Sequence, residues 1–461
     1  MIDRGTRVWR KDGVAAGGSP WRLVRARGRA LGMLNELLAV GAAGVEFTDP
    51  GDLALARVLT DRGLVHPVPI LDRGARSVTV VVPAYGRPES LARCLSALAG
   101  EQVIVVDDAT PAPDQLAAVC SKNGADYVRL VANSGPGAAR NFGARKSNSE
   151  FIAFVDSDVV VEPGWLDALL AHFDDYRVAA VAPRIRANDD AHSLLSRYET
   201  VGSALDMGPD PALVRPGARI GYVPSAVLAV RREEFLRHRF DEQLRVGEDV
   251  DLVWRLVAAG RQVRYEPRSV VRHEVRGSLH EWARRRMDYG TSAAELDRRH
   301  PEFLAPVRIS ALKLVAAGLV AARRPVLAGA AVVAIGGPQA RELMRRNVPP
   351  LVAVNVIGSG AWSDAVAIGH ALRREYWPLG VVAAVASRRS SVARMAVATM
   401  VIPVASDAFR ARQRIDPALY AALRVTADAA YGLGVLRGCV ARRSALPLLP
   451  RLRPRAARPG T

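Results

Sequence analysis

The chain has 461 residues, of which 49% are hydrophobic and 24% charged, and a formal net charge of +18. That length accommodates two or three domains with cores of their own, and the composition excludes a wholly disordered chain. The charge is uneven: from residue 306 onward 23 Arg plus Lys stand against 6 Asp plus Glu, so the preceding two thirds are close to neutral, which argues against a nucleic-acid binder with a basic folded body.

Residues 1–76 read as a small leading module. Trp21–Val40 reads as helical, Asp49-Pro50-Gly51-Asp52 as a turn opening a second helix, and Arg62–Pro67 as a helix stop leading into a short strand. This order resembles a small winged helix of the peptide-recognition kind, or else a helical extension packed on the next domain. Cys94, Cys120 and Cys439 show no metal spacing and no disulfide framework, which points to a reducing cytoplasm. No secretory signal is evident.

From residue 77 to about 300 strand and helix alternate. Strands are expected at 78–82, 103–106, 126–131, 151–155 and 178–182, and helices at 88–99, 114–121, 136–147 and 163–173. Alternation of this kind predicts an α/β domain with a parallel sheet covered by helices, whose strand ends line one edge. Four motifs fall at successive strand ends: Val82-Pro83-Ala84-Tyr85, Val106-Asp107-Asp108, Asn133-Ser134-Gly135-Pro136-Gly137 running on to Gly143, and Asp156-Ser157-Asp158. Each has a physical use. Tyr85 can stack on a flat base. Asp107 and Asp108 can accept hydrogen bonds from a base imide or ribose hydroxyls, since ionised carboxylates only accept. Gly135 lets backbone approach a ligand before a helix that Pro136 opens. Asp156 and Asp158 are hard oxygen ligands that suit Mg²⁺ or Mn²⁺ shared with a diphosphate.

Taken together, VPAY, VDD, NSGPGAARNFG and VDSD resemble the inverting family 2 glycosyltransferases of the GT-A fold, a Rossmann-like nucleotide-diphospho-sugar transferase domain. The resemblance covers residues 77–290. It implies a nucleoside-diphosphate sugar and a divalent metal, Mn²⁺ or Mg²⁺. By position, Pro83, Tyr85, Asp107, Asp108, Gly135 and Asp156 would bind the donor nucleotide, and Asp156 and Asp158 the metal. His273 falls where some relatives place a further metal or diphosphate ligand. Inversion requires a base for the acceptor hydroxyl. Gly247-Glu248-Asp249 resembles the family's acidic pair at the start of a helix, with Asp249 as base and Glu248 facing the acceptor; capping of the helix is the structural alternative. Gly221–Ala226 sits where the family places an acceptor loop. Trp254 reads as helix packing.

Beyond residue 306, Ala/Val-rich runs are cut by arginine pairs. The runs at 309–322, 325–338, 377–386 and 395–405 each fall short of the roughly 20 residues of a spanning helix. They suit helices lying on the inner face of the cytoplasmic membrane or a helical domain with a basic surface. Residues 451–461 read as disordered. The leading module, the motif order and the basic tail together resemble the mycofactocin-biosynthesis glycosyltransferases. That resemblance implies a cytoplasmic, membrane-peripheral enzyme moving a hexose, glucose from UDP-glucose, onto a peptide-derived acceptor. A polyprenyl-phosphate or polysaccharide acceptor and a non-catalytic membrane scaffold are the alternatives.

Overall fold

A computed structural model describes residues 1–461 apart from 11, 12, 20, 72, 73, 75, 189–192, 276, 302, 310–317, 320–324, 346, 347 and 453–461. The chain divides into two units, Met1–Val275 and Arg276–Thr461.

The first unit opens with an antiparallel sheet of β1 (Arg7–Trp9), β2 (Val14–Gly17) and β3 (Arg22–Arg25), followed by helices α1 (Arg29–Val40) and α2 (Pro50–Asp61). This corrects the helix expected over Trp21–Val40. Arg22-Leu23-Val24-Arg25 pairs as a strand with β2, and Gly28 at φ +50° separates that strand from α1. The expected strand near Val65 is an isolated bridge between Ile2 and Val65. Asp49 caps α2 by accepting from the Gly51 and Asp52 amides. Leu34, Leu37, Leu59 and Leu64 form this module's buried core.

The main sheet is mixed rather than wholly parallel. β4 (Val78–Ala84), β5 (Gln102–Asp107), β6 (Asp126–Arg129) and β7 (Phe151–Val155) run parallel. Next to β7 lies β11 (Val227–Arg231), antiparallel both to β7 and to β9 (Val178–Ala187). Beyond β9 come β12 (Gln262–His273) and the edge strand β10 (Ala212–Val214), while β8 (Val159–Val161) pairs with the far end of β12. The reversal of β11 matters for function. Val227 pairs with Val155, so the segment entering β11 lies beside the segment leaving β7. A parallel β11 would have put its entry at the opposite edge.

Helices α3 (Pro88–Ala97), α4 (Pro113–Lys122), α5 (Pro136–Lys146), α6 (Trp165–Leu170), α7 (Leu194–Gly202), α8 (Arg232–His238) and α9 (Glu248–Ala258) cover this sheet. α5 is closely seated. Its Gly143 lies over Val81, where an added Cβ would stand 2.4 Å from Val81 Cγ1.

The second unit is helical. Leu279–Thr291 and Pro417–Arg442 cross at Gly290 and Gly434, where a Cβ on Gly434 would stand 1.9 Å from the Met287 carbonyl oxygen. Two helices, Pro350–Arg373 with 24 residues and Ser391–Ala411 with 21, are long and apolar enough to cross a membrane. The expected run at 395–405 lies inside the second of these, which continues past its apolar core into flanking residues, while Pro350–Arg373 was not among the expected runs. Such helices are weak evidence of membrane association, since buried core helices share their length and composition. Most of the run at 309–322 lies outside the described residues, as do 453–461 of the stretch 451–461 expected to be disordered; Arg451–Leu452, by contrast, pairs in parallel with Arg308–Ile309.

Gly143→Ala should destabilise the first unit by about 1–3 kcal/mol through overpacking against Val81. Urea unfolding of native and variant chains checks this; coincident midpoints would contradict the close packing of α5.

Candidate active site

The parallel ladder of β4, β5 and β7 brings Ala84, Asp107 and Val155 to one edge, so Tyr85, Asp108 and Asp156 follow directly at that edge. Tyr85 keeps about half its surface exposed there. Pro83 is a strand residue and is buried. It falls beyond the last β4–β7 pairs, which end at Val81 with Phe154, so its missing N–H breaks no bond on that side.

The two adjacent acids have different tasks. Asp107 is fully buried. It accepts from the Thr110 amide at 2.9 Å, the Tyr127 hydroxyl at 2.7 Å and Arg129 at 2.8 Å. Burial pushes its carboxyl up, but the bonds from Thr110, Tyr127 and Arg129 win and hold it below the ordinary range. These partners make Asp107 a fixed support of the strand end. Asp108 instead accepts the Ser134 and Gly135 amides at 2.7 and 2.8 Å. It thereby holds the glycine loop, in which Gly135 adopts φ +92°.

Asp156 and Asp158 lie on the turn between β7 and β8. The Asp156 amide donates to the Ala226 carbonyl at 2.8 Å, which ties this turn to the segment entering β11. Asp158 stands 3.5 Å from Arg87 and 3.4 Å from His273 Nε2. The antiparallel pairing of Val159 with His273 brings the histidine there across more than a hundred residues. An Asp158 oxygen and His273 Nε2 at this separation fit two ligands of one divalent cation, which takes ligands at about 2.0–2.2 Å. Among the described residues no cluster of three or more His, Cys, Asp or Glu forms a metal cage. A cation held by this pair alone would have its remaining positions open.

Sequence reading did not single out Arg140. It projects from α5 and is only 3% exposed. One terminal nitrogen donates to Asp156 Oδ1 at 2.6 Å and the other to Glu248 Oε1 at 3.0 Å. Its position in the Asn133–Gly143 motif was the available signal. Burial lowers its affinity for a proton, but Asp156 and Glu248 outweigh that and keep it firmly charged.

Glu248 and Asp249 open α9 after Gly247, which adopts φ +83°. Asp249 accepts the Val250 amide at 2.8 Å and the Ser225 amide at 3.2 Å. Burial nonetheless raises its carboxyl above the ordinary range. Burial, and then the charge of Asp249, push Glu248 up to about 7 against the pull of Arg140. Neither acid is the cap of α9, a place taken by Gly247. Trp254, expected only to pack, also donates Nε1–H to the Gly221 carbonyl at 2.9 Å. It anchors one end of the Gly221–Ala226 loop while Asp249 holds the other.

The family model described as glycosyl transferase family 2 matches residues 79–240. The chain is 36% identical over 469 aligned residues to the pre-mycofactocin glycosyltransferase of Mycobacterium tuberculosis (strain ATCC 25618 / H37Rv), covering 98% of this chain and 97% of that one. It is 33% identical over 236 residues to the succinoglycan biosynthesis protein ExoO of Rhizobium meliloti (strain 1021), covering 46% and 64%. Among solved structures, S. aureus TarS 1–349 in complex with UDP-GlcNAc overlaps 48% of this chain and 66% of its own, at 20% identity and a TM-score of 0.38.

Because the Glu248 carboxyl is raised from 4.5 to about 7, the folded chain holds a proton there that the unfolded chain has released. Glu248 should therefore make stability fall as pH rises from roughly 4.5 to 7. Glu248→Gln should lose that fall, so its melting temperature gains on the native chain as pH rises. Parallel melting curves from pH 5 to about 8 would contradict the assignment.

Proposed function

The chain belongs to glycosyl transferase family 2, and from that premise we propose that it transfers glucose from UDP-glucose, with inversion, to a peptide-derived acceptor of the mycofactocin type. The observation that carries this reading is the meeting of donor-side and acceptor-side acids on one buried guanidinium, Arg140. The 36% identity along nearly the whole chain to a pre-mycofactocin glycosyltransferase supports the acceptor class.

In this reading Tyr85 stacks on the base. Asp108 keeps lone pairs beyond those facing Ser134 and Gly135, and accepts from the base imide. Asp158 and His273, with Asp156 beside them, would hold Mn²⁺ or Mg²⁺, and a cation there would supply neutralising charge for a diphosphate. Arg87, beside Asp158, adds a cation toward the same phosphates. Asp249 takes the proton of the acceptor hydroxyl as its oxygen attacks the anomeric carbon. The bond from that carbon to the diphosphate oxygen breaks, and the nucleoside diphosphate departs with the electron pair. Glu248, with a carboxyl near neutrality, positions the acceptor from the adjoining face. The two long apolar helices support a site on the inner face of the cytoplasmic membrane, and they also favour a second reading with a polyprenyl-phosphate acceptor.

Asp249→Asn should lower sugar transfer on the order of 100-fold or more while UDP still binds. Nucleotide release in Mn²⁺ or Mg²⁺, with and without a peptide-derived acceptor, is the measurement. Native turnover by Asp249→Asn would rule out the assigned base.

A further inference from the structure

We propose that Arg245 is a positioning residue for the donor nucleotide: it braces the Asn133–Gly135 loop against the segment that leads into the acidic pair. That segment joins α8 to α9 and lies over the first turn of α5. An added Cβ at Gly137 would stand 3.3 Å from Phe240 Cβ and 3.7 Å from Glu248 Cγ. One at Gly135 would stand 3.0 Å from Arg245 Nη1. Both glycines of the motif therefore make room for this segment, and a side chain at either place would push it away from α5.

The segment is held at both ends. Asn141 of α5, only 1% exposed, grips Phe240 by its backbone. Its Oδ1 accepts the Phe240 amide at 3.0 Å, and its Nδ2 donates to the Phe240 carbonyl at 2.9 Å and to Glu242 Oε1 at 3.0 Å. Farther along, the exposed Arg245 reaches across to the glycine loop. One terminal nitrogen donates to Asn133 Oδ1 at 2.8 Å and the other to the Asn133 carbonyl at 3.1 Å. The Asn133 Nδ2 donates in turn to the Asp108 carbonyl at 3.3 Å. Asp108 closes the circuit by accepting the Ser134 and Gly135 amides.

The loop needs such a brace. Val131, Ala132, Asn133 and Ser134 are all exposed, and a segment with few buried contacts opens at low cost. Asp108 holds it from the sheet side, and the Arg245 fork holds it from the solvent side. The planar fork matches two oxygens of one residue, which a single ammonium cannot do. Glu248 and Asp249 have holds of their own, in Arg140 and in the Val250 and Ser225 amides. Loss of Arg245 should therefore fall on the loop and on Asp108 and leave the acidic pair in place. This inference rests on the reading of Asp108 as the nucleotide contact.

The test uses the full chain with Arg245→Ala and Arg245→Lys, at an exposed position where folding is not at risk. Hydrogen exchange at the Ser134 and Gly135 amides, read without nucleotide, should speed up about tenfold in Arg245→Ala. Uridine and UDP should both bind about fivefold more weakly, by the same factor, because loop order and not a phosphate contact is lost. The KM for UDP-glucose should rise by that factor, with kcat within about twofold of native. Arg245→Lys keeps the charge without the fork and should follow Arg245→Ala. Unchanged exchange overturns the brace. A loss confined to UDP also overturns it, since that marks a direct phosphate contact, and so does native uridine affinity in Arg245→Lys. Faster exchange with native affinity for both nucleotides would remove Asp108 from the donor site, and with it the role given to Arg245.

Discussion

One guanidinium joins the two halves of the site. Arg140 is almost wholly buried and has two carboxylate partners, Asp156 from the turn after β7 and Glu248 from the start of α9. A buried cation is tolerable only when paired, and removing one member of such a cluster leaves an uncompensated charge in a poorly solvated place. The reverse also holds. Without Arg140, Asp156, Glu248 and Asp249 would crowd three acids together with no cation between them. Asp156 and Glu248 therefore keep their mutual arrangement through Arg140, and α5 must stay seated on the sheet for that to hold. Gly143 over Val81 is what allows α5 to lie so close.

The reversed strand β11 supplies the second constraint. Its entry lies beside the exit of β7, and the Asp156 amide reaches the Ala226 carbonyl just before β11 begins. The turn carrying Asp156 and Asp158 and the Gly221–Ala226 loop are thereby neighbours through backbone alone. Asp249 then fixes that loop through the Ser225 amide, and Trp254 through the Gly221 carbonyl. The turn after β7 and the loop before β11, far apart in sequence, meet because one strand runs against the others.

Much of this was legible in the chain. The strand-end positions of Tyr85, Asp108, Asp156 and Asp158 followed from apolar runs ending in polar residues, and the acidic pair at 248–249 from its place at a helix start. What was hidden depended on long-range pairing. The antiparallel direction of β11 leaves no mark on Val227–Arg231, because a buried strand looks alike in either direction. Arg140 read as one residue of a glycine motif, since its burial depends on Phe240, Glu248 and Asp156 arriving from elsewhere. Asp107 and Asp108 looked equivalent, and only the partners Tyr127, Arg129, Ser134 and Gly135 separate them. In the leading module the strands were short, and Arg22–Arg25 carries no alternation to set it apart from the helical run after it.

The central claim is that Arg140 holds the donor and acceptor carboxylates in working register. The direct measurement compares Arg140→Lys with Arg140→Met for folding, UDP affinity and sugar transfer. The lysine variant keeps the charge but loses the fork that reaches two acids at once. It should fold and bind UDP while transferring sugar far more slowly, and the methionine variant should lose transfer and show a shifted pH profile as the acids lose their cation. Native transfer rates and an unchanged pH profile in Arg140→Met would contradict the account.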